Sequence, residues 1–182
     1  MIKKICLSIC AFLVIISPLS AFSFDFLQPE KQVESQEDQI TIHNWNPLKG
    51  DRIVFDTNNN IGYLIHENNK RLEFPIITGQ RRHLYYLGLS YNGATPKQKW
   101  VAKELKIQGD KYTYGKEGTF IRLFANGKAT HYGIHTHAAE EIMFAREDRY
   151  QSMGCPIVKK EILDIIEKTF ELNEGELNVW TI

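Results

Sequence analysis

The sequence has no excess of charge of either sign and contains very little cysteine. Its 182 residues include 22 Lys and Arg against 22 Asp and Glu. A domain that binds nucleic acid usually needs surplus basic side chains to neutralise phosphates, so we expect no nucleic-acid partner. Three cysteines are too few for a disulfide-stabilised scaffold. The length suits one domain without a separate cofactor-binding module, and we expect no cofactor.

The most apolar run, residues 5–19, is too short to cross a membrane. It follows a short basic start and is about 15 residues long, whereas a spanning helix needs roughly 20. Pro18 interrupts its end, and the small residues Ala21 and Ser23 precede a possible cleavage point. These features predict a cleaved signal peptide over residues 1–23, export to the periplasm or out of the cell, and no stable membrane anchor.

Cleavage would leave a single cysteine, Cys155, in the exported chain. Cys6 and Cys10 both fall inside the predicted signal peptide. An unpaired Cys in an oxidising compartment is either a reactive thiol or a small buried hydrophobe protected by packing. Composition alone favours neither interpretation.

The rest of the chain predicts a tether followed by a β-rich domain over residues 40–182. Residues 24–39 are polar and charged and show no apolar period, which is typical of a tether. Beyond them, short extended runs alternate with polar turns, as in successive hairpins. The predicted strands cover residues 40–42, 52–55, 61–66, 72–77, 84–89, 101–108, 119–124 and 128–134. Asn126 and Gly127 carry the turn signal of a tight hairpin between the last two strands.

One amphipathic helix is predicted late in the chain. Apolar residues recur there at spacings of three and four, namely Val158, Ile162, Ile165, Ile166 and Phe170. Pro156 suits the first helical turn, and residues 173–175 end the helix ahead of an alternating strand over 177–182. The predicted fold class is mainly β (α+β), with the helix packed on the strands.

Two clusters carry the chemistry of this sequence. His131, His135 and His137 fall within seven residues, and alternate positions of a strand share one face, so we expect the three imidazoles to point the same way. Cys155 follows Gly154 in a turn that leads into the predicted helix. A helix N-terminus stabilises a thiolate and lowers the pKa of Cys below about 8.5. A reactive Cys and a nearby His form a nucleophile and its base.

The spacing of these clusters matches a known signature. Sixteen residues separate the Ile134-His135 step from Ser152-Met153-Gly154-Cys155. This pattern resembles the L,D-transpeptidase catalytic domain of bacterial cell-wall enzymes. In that family an Ile-His step at a strand end is followed, after a variable loop, by Ser/Thr-x-Gly-Cys before a helix. The resemblance covers roughly residues 40–182.

The resemblance implies a β-sandwich-like domain that acts on the stem peptides of peptidoglycan. Cys155 is then the nucleophile that forms a thioester, which an amine of another stem resolves into a cross-link or water resolves by hydrolysis. His135 is the implied general base, with Gly154 and the Cys155 N–H near the oxyanion. The implied supporting or substrate-binding residues are Tyr132, Thr136, His137, Ser152, Met153 and Gly154.

The sequence departs from the family pattern beside both catalytic positions. Met153 stands where many members have His, and Thr136 follows the base where Gly is common. Residues 156–158 replace the frequent Ile-Arg-Met, so the Arg that usually contacts a substrate carboxylate is missing. His137 also lies at a permitted distance from Ser152. The strand-end context favours His135 as a base that titrates near pH 6.5, with His137 acting on substrate affinity.

Two other functions use the same residues. His135 and His137, with His131 or Cys155 added, could bind zinc in an exported cell-wall peptidase, because alternate strand positions deliver two imidazoles to one metal. The domain could also be a non-catalytic wall-binding module with a buried Cys155. Inactivation by a thiol alkylator favours the transpeptidase, and inactivation by a chelator favours zinc.

Overall fold

Short strands joined by turns make up most of the described part of the chain. This computed structural model describes residues 40–107 and 110–182, which belong to the compact unit Asp38–Ile182. The predicted signal peptide, residues 1–23, and the predicted tether, residues 24–39, lie outside the described residues. Within the described ranges, no helix has the length and apolar character needed to cross a membrane.

The described residues form eleven strands, two α-helices and one short 3-10 helix. The strands are β1 Arg52–Asp56, β2 Ile61–Ile65, β3 Arg71–Pro75, β4 Thr78–Gly79, β5 His83–Tyr86, β6 Leu89–Asn92, β7 Lys99–Ile107, β8 Thr119–Ala125, β9 Lys128–His135, β10 Tyr150–Ser152 and β11 Leu177–Thr181. The helices are α1 Glu140–Phe144 and α2 Lys160–Leu172, and the 3-10 helix is Ile42–Asn44. The predicted mainly β class is confirmed.

One seven-stranded sheet organises the domain, in the order β3-β2-β1-β11-β7-β8-β9. Strand β11 runs parallel to β1 and antiparallel to β7, so it joins two antiparallel groups of three strands. Its alternating pattern buries Leu177, Val179 and Thr181, as the sequence predicts. Strand β9 lies at one edge of this sheet, and its unpaired side is therefore open to another segment. Two smaller sheets pair β10 with β4 and β5 with β6.

Helix α2 packs its apolar face into the core of the sheet. Ile162, Leu163, Ile166 and Phe170 join a buried cluster that includes Phe55 of β1. Each large side chain that is fully buried in this way contributes about 1.5–3 kcal/mol to folding. The predicted periodicity and the predicted helix end are confirmed, since the helix stops at Leu172.

The predicted start of this helix is wrong. Pro156 does not open a helical turn, because α2 begins only at Lys160. The backbone of Ile157 bridges Ile77 on one side and His135 on the other. Pairing with two extended neighbours therefore holds this segment straight, and it outweighs the local preference of Pro for a first helical turn.

Two predicted strands also differ from the structure. Residues 40–42 enter a 3-10 turn, in which the N–H of Thr41 donates to Asn44 Oδ1 at 2.7 Å. Residues 84–89 do not form one strand but the middle of the β5–β6 hairpin. Its turn places Leu87 and Gly88 at φ values of 48° and 79°. Asn126 and Gly127 adopt the same left-handed conformation in the turn that the sequence does predict.

Candidate active site

The segment around Cys155 is held between two extended neighbours. On one side, Ile157 and Ile77 exchange backbone hydrogen bonds of 2.8 and 2.9 Å. On the other side, the N–H of Val158 donates to the His135 oxygen at 3.0 Å. Because β9 is an edge strand, its last residue is free to make this contact. Cys155 is thereby placed alongside β9, two residues before the step at which Ile157 pairs with His135.

Glycine allows the backbones to pack closely at this point. Gly154 has a φ of 125°, and a Cβ there would lie 2.7 Å from the Tyr132 ring. A Cβ on Gly79 would lie 2.0 Å from the Gly93 oxygen and 2.8 Å from the Gly154 Cα. The N–H of Gly154 donates to Ser152 Oγ at 3.1 Å. Side chains at either glycine would push the cysteine segment away from its neighbours.

The Cys155 thiol is partly exposed but poorly hydrated. Its Sγ lies 3.8 Å from the His131 carbonyl oxygen. Burial raises the pKa of the thiol to about 11, although the backbone N–H of Gly133 favours the thiolate. The expected lowering by a helix N-terminus is wrong, since the helix starts several residues later. At neutral pH the resting thiol is therefore protonated.

Three tyrosines are electrostatically coupled to the thiol, from β6, from the segment before β8 and from β9. The pKa values of Tyr91, Tyr114 and Tyr132 are each raised, first by burial of the phenol and then by the negative charge that Cys155 would carry. The half-buried Tyr132 also contacts the core residue Trp100, with 5.5 Å between ring centroids.

His135 ends β9 as a buried, neutral imidazole that is 4% exposed. Its Nδ1 lies 2.6 Å from the Thr136 carbonyl oxygen. A carbonyl oxygen only accepts, so Nδ1 carries the proton and Nε2 keeps its lone pair. Burial lowers the pKa of His135 to about 4, outweighing the Thr136 and Thr113 carbonyls that favour the protonated ring. The sequence-based value near 6.5 is therefore too high for this buried ring.

His137 lies beyond the end of β9 and has the opposite tautomer. Its Nδ1 accepts a hydrogen bond from the N–H of Ala139 at 3.0 Å, so the proton of the neutral ring is on Nε2. Burial lowers the pKa of His137, while the negative charge of Asp110 raises it. The ring packs edge-on against Tyr112 at 5.1 Å. In the neutral state this imidazole therefore has no free lone pair to act as a base.

The predicted histidine cluster does not form one group. His131 is exposed and His135 is buried, and His137 follows the strand rather than continuing its face. Within residues 40–107 and 110–182, the one set of three side chains whose ligand atoms lie within 4.8 Å is Glu117, Asp164 and Glu167. Lys160 already pairs there with two carboxylates. The geometry thus does not support zinc binding by the histidines and Cys155.

The remaining predicted site residues differ in their exposure to solvent. Met153 is 44% exposed, whereas Ser152 and Thr136 are buried. Thr136 Oγ1 donates to the Tyr114 oxygen at 3.0 Å, and the Tyr114 ring packs 5.1 Å from the His135 ring. No sequence pattern marks Tyr114, because it lies in an irregular segment between β7 and β8.

An open cleft of about 380 Å³ adjoins the cysteine segment. His137, Arg146 and Gln151 contribute to its wall, together with apolar side chains of α1. Gln151 directly precedes Ser152 in β10, so the cleft and the cysteine segment share a strand. Arg146 and Gln151 lie in a polar loop and its adjoining short strand, and no sequence pattern marks either residue.

The fold is that of a known class of domain. The domain has the fold of L,D-transpeptidase catalytic domains, which confirms the resemblance at the level of fold. It superposes on the L,D-transpeptidase from Xylanimonas cellulosilytica with a TM-score of 0.52 and 13% identity. That match covers 76% of this chain and 63% of the other.

Two further solved structures have the same fold. Bd1075 from Bdellovibrio bacteriovorus matches with a TM-score of 0.52 and 15% identity, over 74% of this chain and 48% of that one. The helical cell shape determining protein Pgp2 from Campylobacter jejuni matches with a TM-score of 0.51 and 15% identity, over 75% and 48% of the two chains. The chain thus spans less than two thirds of each of these proteins. No family model and no curated protein matches the sequence.

Proposed function

We propose that the chain is an exported, cysteine-dependent L,D-transpeptidase that acts on peptidoglycan stem peptides. The observation that supports this proposal is the pairing of the Val158 N–H with the His135 oxygen, which brings the backbone of the cysteine segment to the strand end that carries a buried imidazole. That imidazole keeps its Nε2 lone pair, as a general base requires. The fold is one on which L,D-transpeptidase chemistry occurs.

In the first step, Cys155 Sγ attacks the carbonyl carbon of a donor stem peptide while His135 Nε2 takes the thiol proton. The pKa of about 11 for the thiol and about 4 for the imidazole disfavour a resting ion pair. Proton transfer therefore accompanies attack. The peptide C–N bond then breaks, the leaving amine takes the proton from His135, and a thioester remains.

The Cys155 backbone N–H is the candidate donor to the oxyanion of this step. Among the described ranges, no hydrogen bond occupies that N–H, whereas Ser152 Oγ occupies the Gly154 N–H. A donor without an internal partner is available to the charge that develops in the transition state. Gly154 contributes instead by its positive φ and close packing.

In the second step, an amine of another stem or a water molecule attacks the thioester carbon. The C–S bond breaks and the sulfur regains a proton, which the attacking amine or water loses through His135. Attack by an amine gives a cross-link, and attack by water gives L,D-carboxypeptidase activity.

The test is to incubate the exported protein with defined muropeptides and to weigh the products. We expect cross-linked or trimmed stems, and loss of this conversion after prolonged treatment with iodoacetamide at alkaline pH, where the thiol ionises, but not with a chelator. Inactivation by the chelator alone would favour the zinc peptidase instead. Export itself is checked by N-terminal sequencing, which we expect to begin near Phe24.

A further inference from the structure

The cleft beside the cysteine segment contains one side chain of permanent charge, Arg146. We propose that Arg146 binds the C-terminal carboxylate of the substrate peptide. This proposal rests on the proposed function, because it names the group by which the same site recognises its substrate.

Arg146 has no acidic partner in the described part of the chain. Its guanidinium makes one long hydrogen bond, from Nη1 to Gln151 Oε1 at 3.4 Å, and no ion pair. A guanidinium offers five N–H donors in a planar fork that matches a carboxylate. Most of these donors are therefore free on the exposed side chain.

The side-chain amide of Gln151, which accepts the hydrogen bond from Arg146, is itself held by two hydrogen bonds. The Gln151 amide donates from Nε2 to the Met143 oxygen at 3.0 Å and to the Asp148 oxygen at 2.6 Å. These two bonds determine which atom of the amide is the oxygen and aim it at Arg146. The guanidinium is thus directed by a side chain that belongs to β10.

The same strand connects this cleft to the thiol. The N–H of Gln80 donates to the Ser152 oxygen at 3.0 Å, and its side chain donates to the Gln151 oxygen at 3.3 Å. A peptide end held at Arg146 therefore lies on the framework that positions Cys155. Apolar side chains of α1 provide contact for the aliphatic part of such a peptide.

One further feature fits a carboxylate. His137 also lines the cleft, and its neutral form retains an Nε2–H donor, because Ala139 occupies Nδ1.

The test measures binding by calorimetry to the full chain carrying Cys155→Ala, which cannot turn over the probe. The probes are a synthetic stem tetrapeptide with a free C-terminal carboxylate and the same peptide with a C-terminal amide. We expect the carboxylate form to bind about 10-fold more tightly. Arg146→Ala should abolish this preference without weakening the amide form, and Arg146→Lys should keep part of it.

Arg149→Ala is the matched control, since Arg149 lies three residues away and does not line the cleft. It should leave the preference unchanged. Equal weakening of both peptides by Arg146→Ala, or no effect on either, would overturn the carboxylate site. Conversion of muropeptides by the wild-type chain would then still support the proposed function. An Arg146-dependent preference without any conversion would keep the site and overturn the transpeptidase.

Discussion

The strand-end site, formed by Cys155 and His135, contrasts with the cleft that contains His137 and Arg146. The two histidines are two residues apart, yet one ring donates through Nδ1 to a carbonyl and the other accepts through Nδ1 from an N–H. Their neutral tautomers are therefore opposite. The local backbone partner, rather than the spacing in the sequence, determines which imidazole can act as a base.

The two regions also differ in their exposure to water. In the strand-end site the imidazole is buried, and both ionisable groups are neutral at pH 7. The cleft is open and carries the charge of Arg146. The two proposals assign proton transfer to the buried imidazole and recognition of a charged substrate to the open cleft.

The largest effect is expected from Cys155→Ala, which removes the nucleophile of the strand-end site. Turnover should fall to background, while the fold survives the loss of one sulfur atom from a partly exposed position. Mass spectrometry of muropeptide products measures the loss of turnover, and thermal melting by circular dichroism measures whether the fold is retained. Unchanged conversion by this variant would refute the transpeptidase function.

The comparison between the histidines is tested by His135→Ala and His137→Ala. The first variant should lower kcat by roughly 100 to 10,000-fold, because it removes the general base. The second should mainly raise KM, since His137 has no free lone pair when neutral. Steady-state kinetics of both variants show which histidine acts as the base. The opposite pattern would assign the base to the cleft.

The raised pKa of the Cys155 thiol predicts slow alkylation. With a pKa of about 11, Cys155 should react with iodoacetamide at pH 7 more than about 100-fold more slowly than free cysteine. The rate should rise about tenfold per pH unit between pH 7 and pH 10, because the thiolate fraction rises in that proportion. The urea-unfolded chain is the control. A fast, pH-independent rate near neutrality would reveal a preformed ion pair with His135.

Burial of His135 predicts acid destabilisation. Its folded pKa of about 4 lies below the unfolded value of 6.5, so the native state binds fewer protons in between. The contribution of His135 to the free energy of unfolding is fully present above pH 6.5. About 3 kcal/mol of it is lost as the pH drops through 4. Urea unfolding at several pH values measures this. His135→Asn should flatten the dependence, while the exposed His83→Asn should retain it.

A smaller effect is expected from Thr136→Val, which removes the hydrogen bond to the Tyr114 oxygen without changing side-chain size much. The cost should be about 1 kcal/mol, the typical net value of one hydrogen bond. Urea unfolding of the variant and of the wild type measures this difference in the free energy of unfolding. An added rise in the measured pKa of His135 would show that this bond helps to keep water from the ring.

Much of the fold follows from local patterns that the sequence displays. Alternating burial identifies β11, and the spacing of Ile162, Ile166 and Phe170 identifies α2. The Leu87-Gly88 turn and the late start of α2 could not be predicted. Leu carries no turn signal, and the extended course of Ile157 depends on pairing with Ile77, which is distant in the chain.

The residues of the candidate site can be proposed from the sequence, but their protonation states cannot. Motif spacing singles out His135 and Cys155, and backbone hydrogen bonds join the end of β9 to the segment that follows Cys155. The tautomers and pKa values depend on which backbone atoms and rings surround each side chain after folding. The cleft could not be predicted either, because Arg146 and Gln80 are brought together by segments that share no sequence pattern.

The central position of β11 has a consequence for how the sheet assembles. Residues 53–55 pair with residues 179–181, so the two groups of three strands are bridged by the segment that is synthesised after both of them. Until it docks, β1 and β7 each present an uncovered edge that can pair with another chain. Such long-range closure makes folding slow and late. We expect the newly made chain to aggregate most readily in the interval before β11 docks, while these two edges are still unpaired.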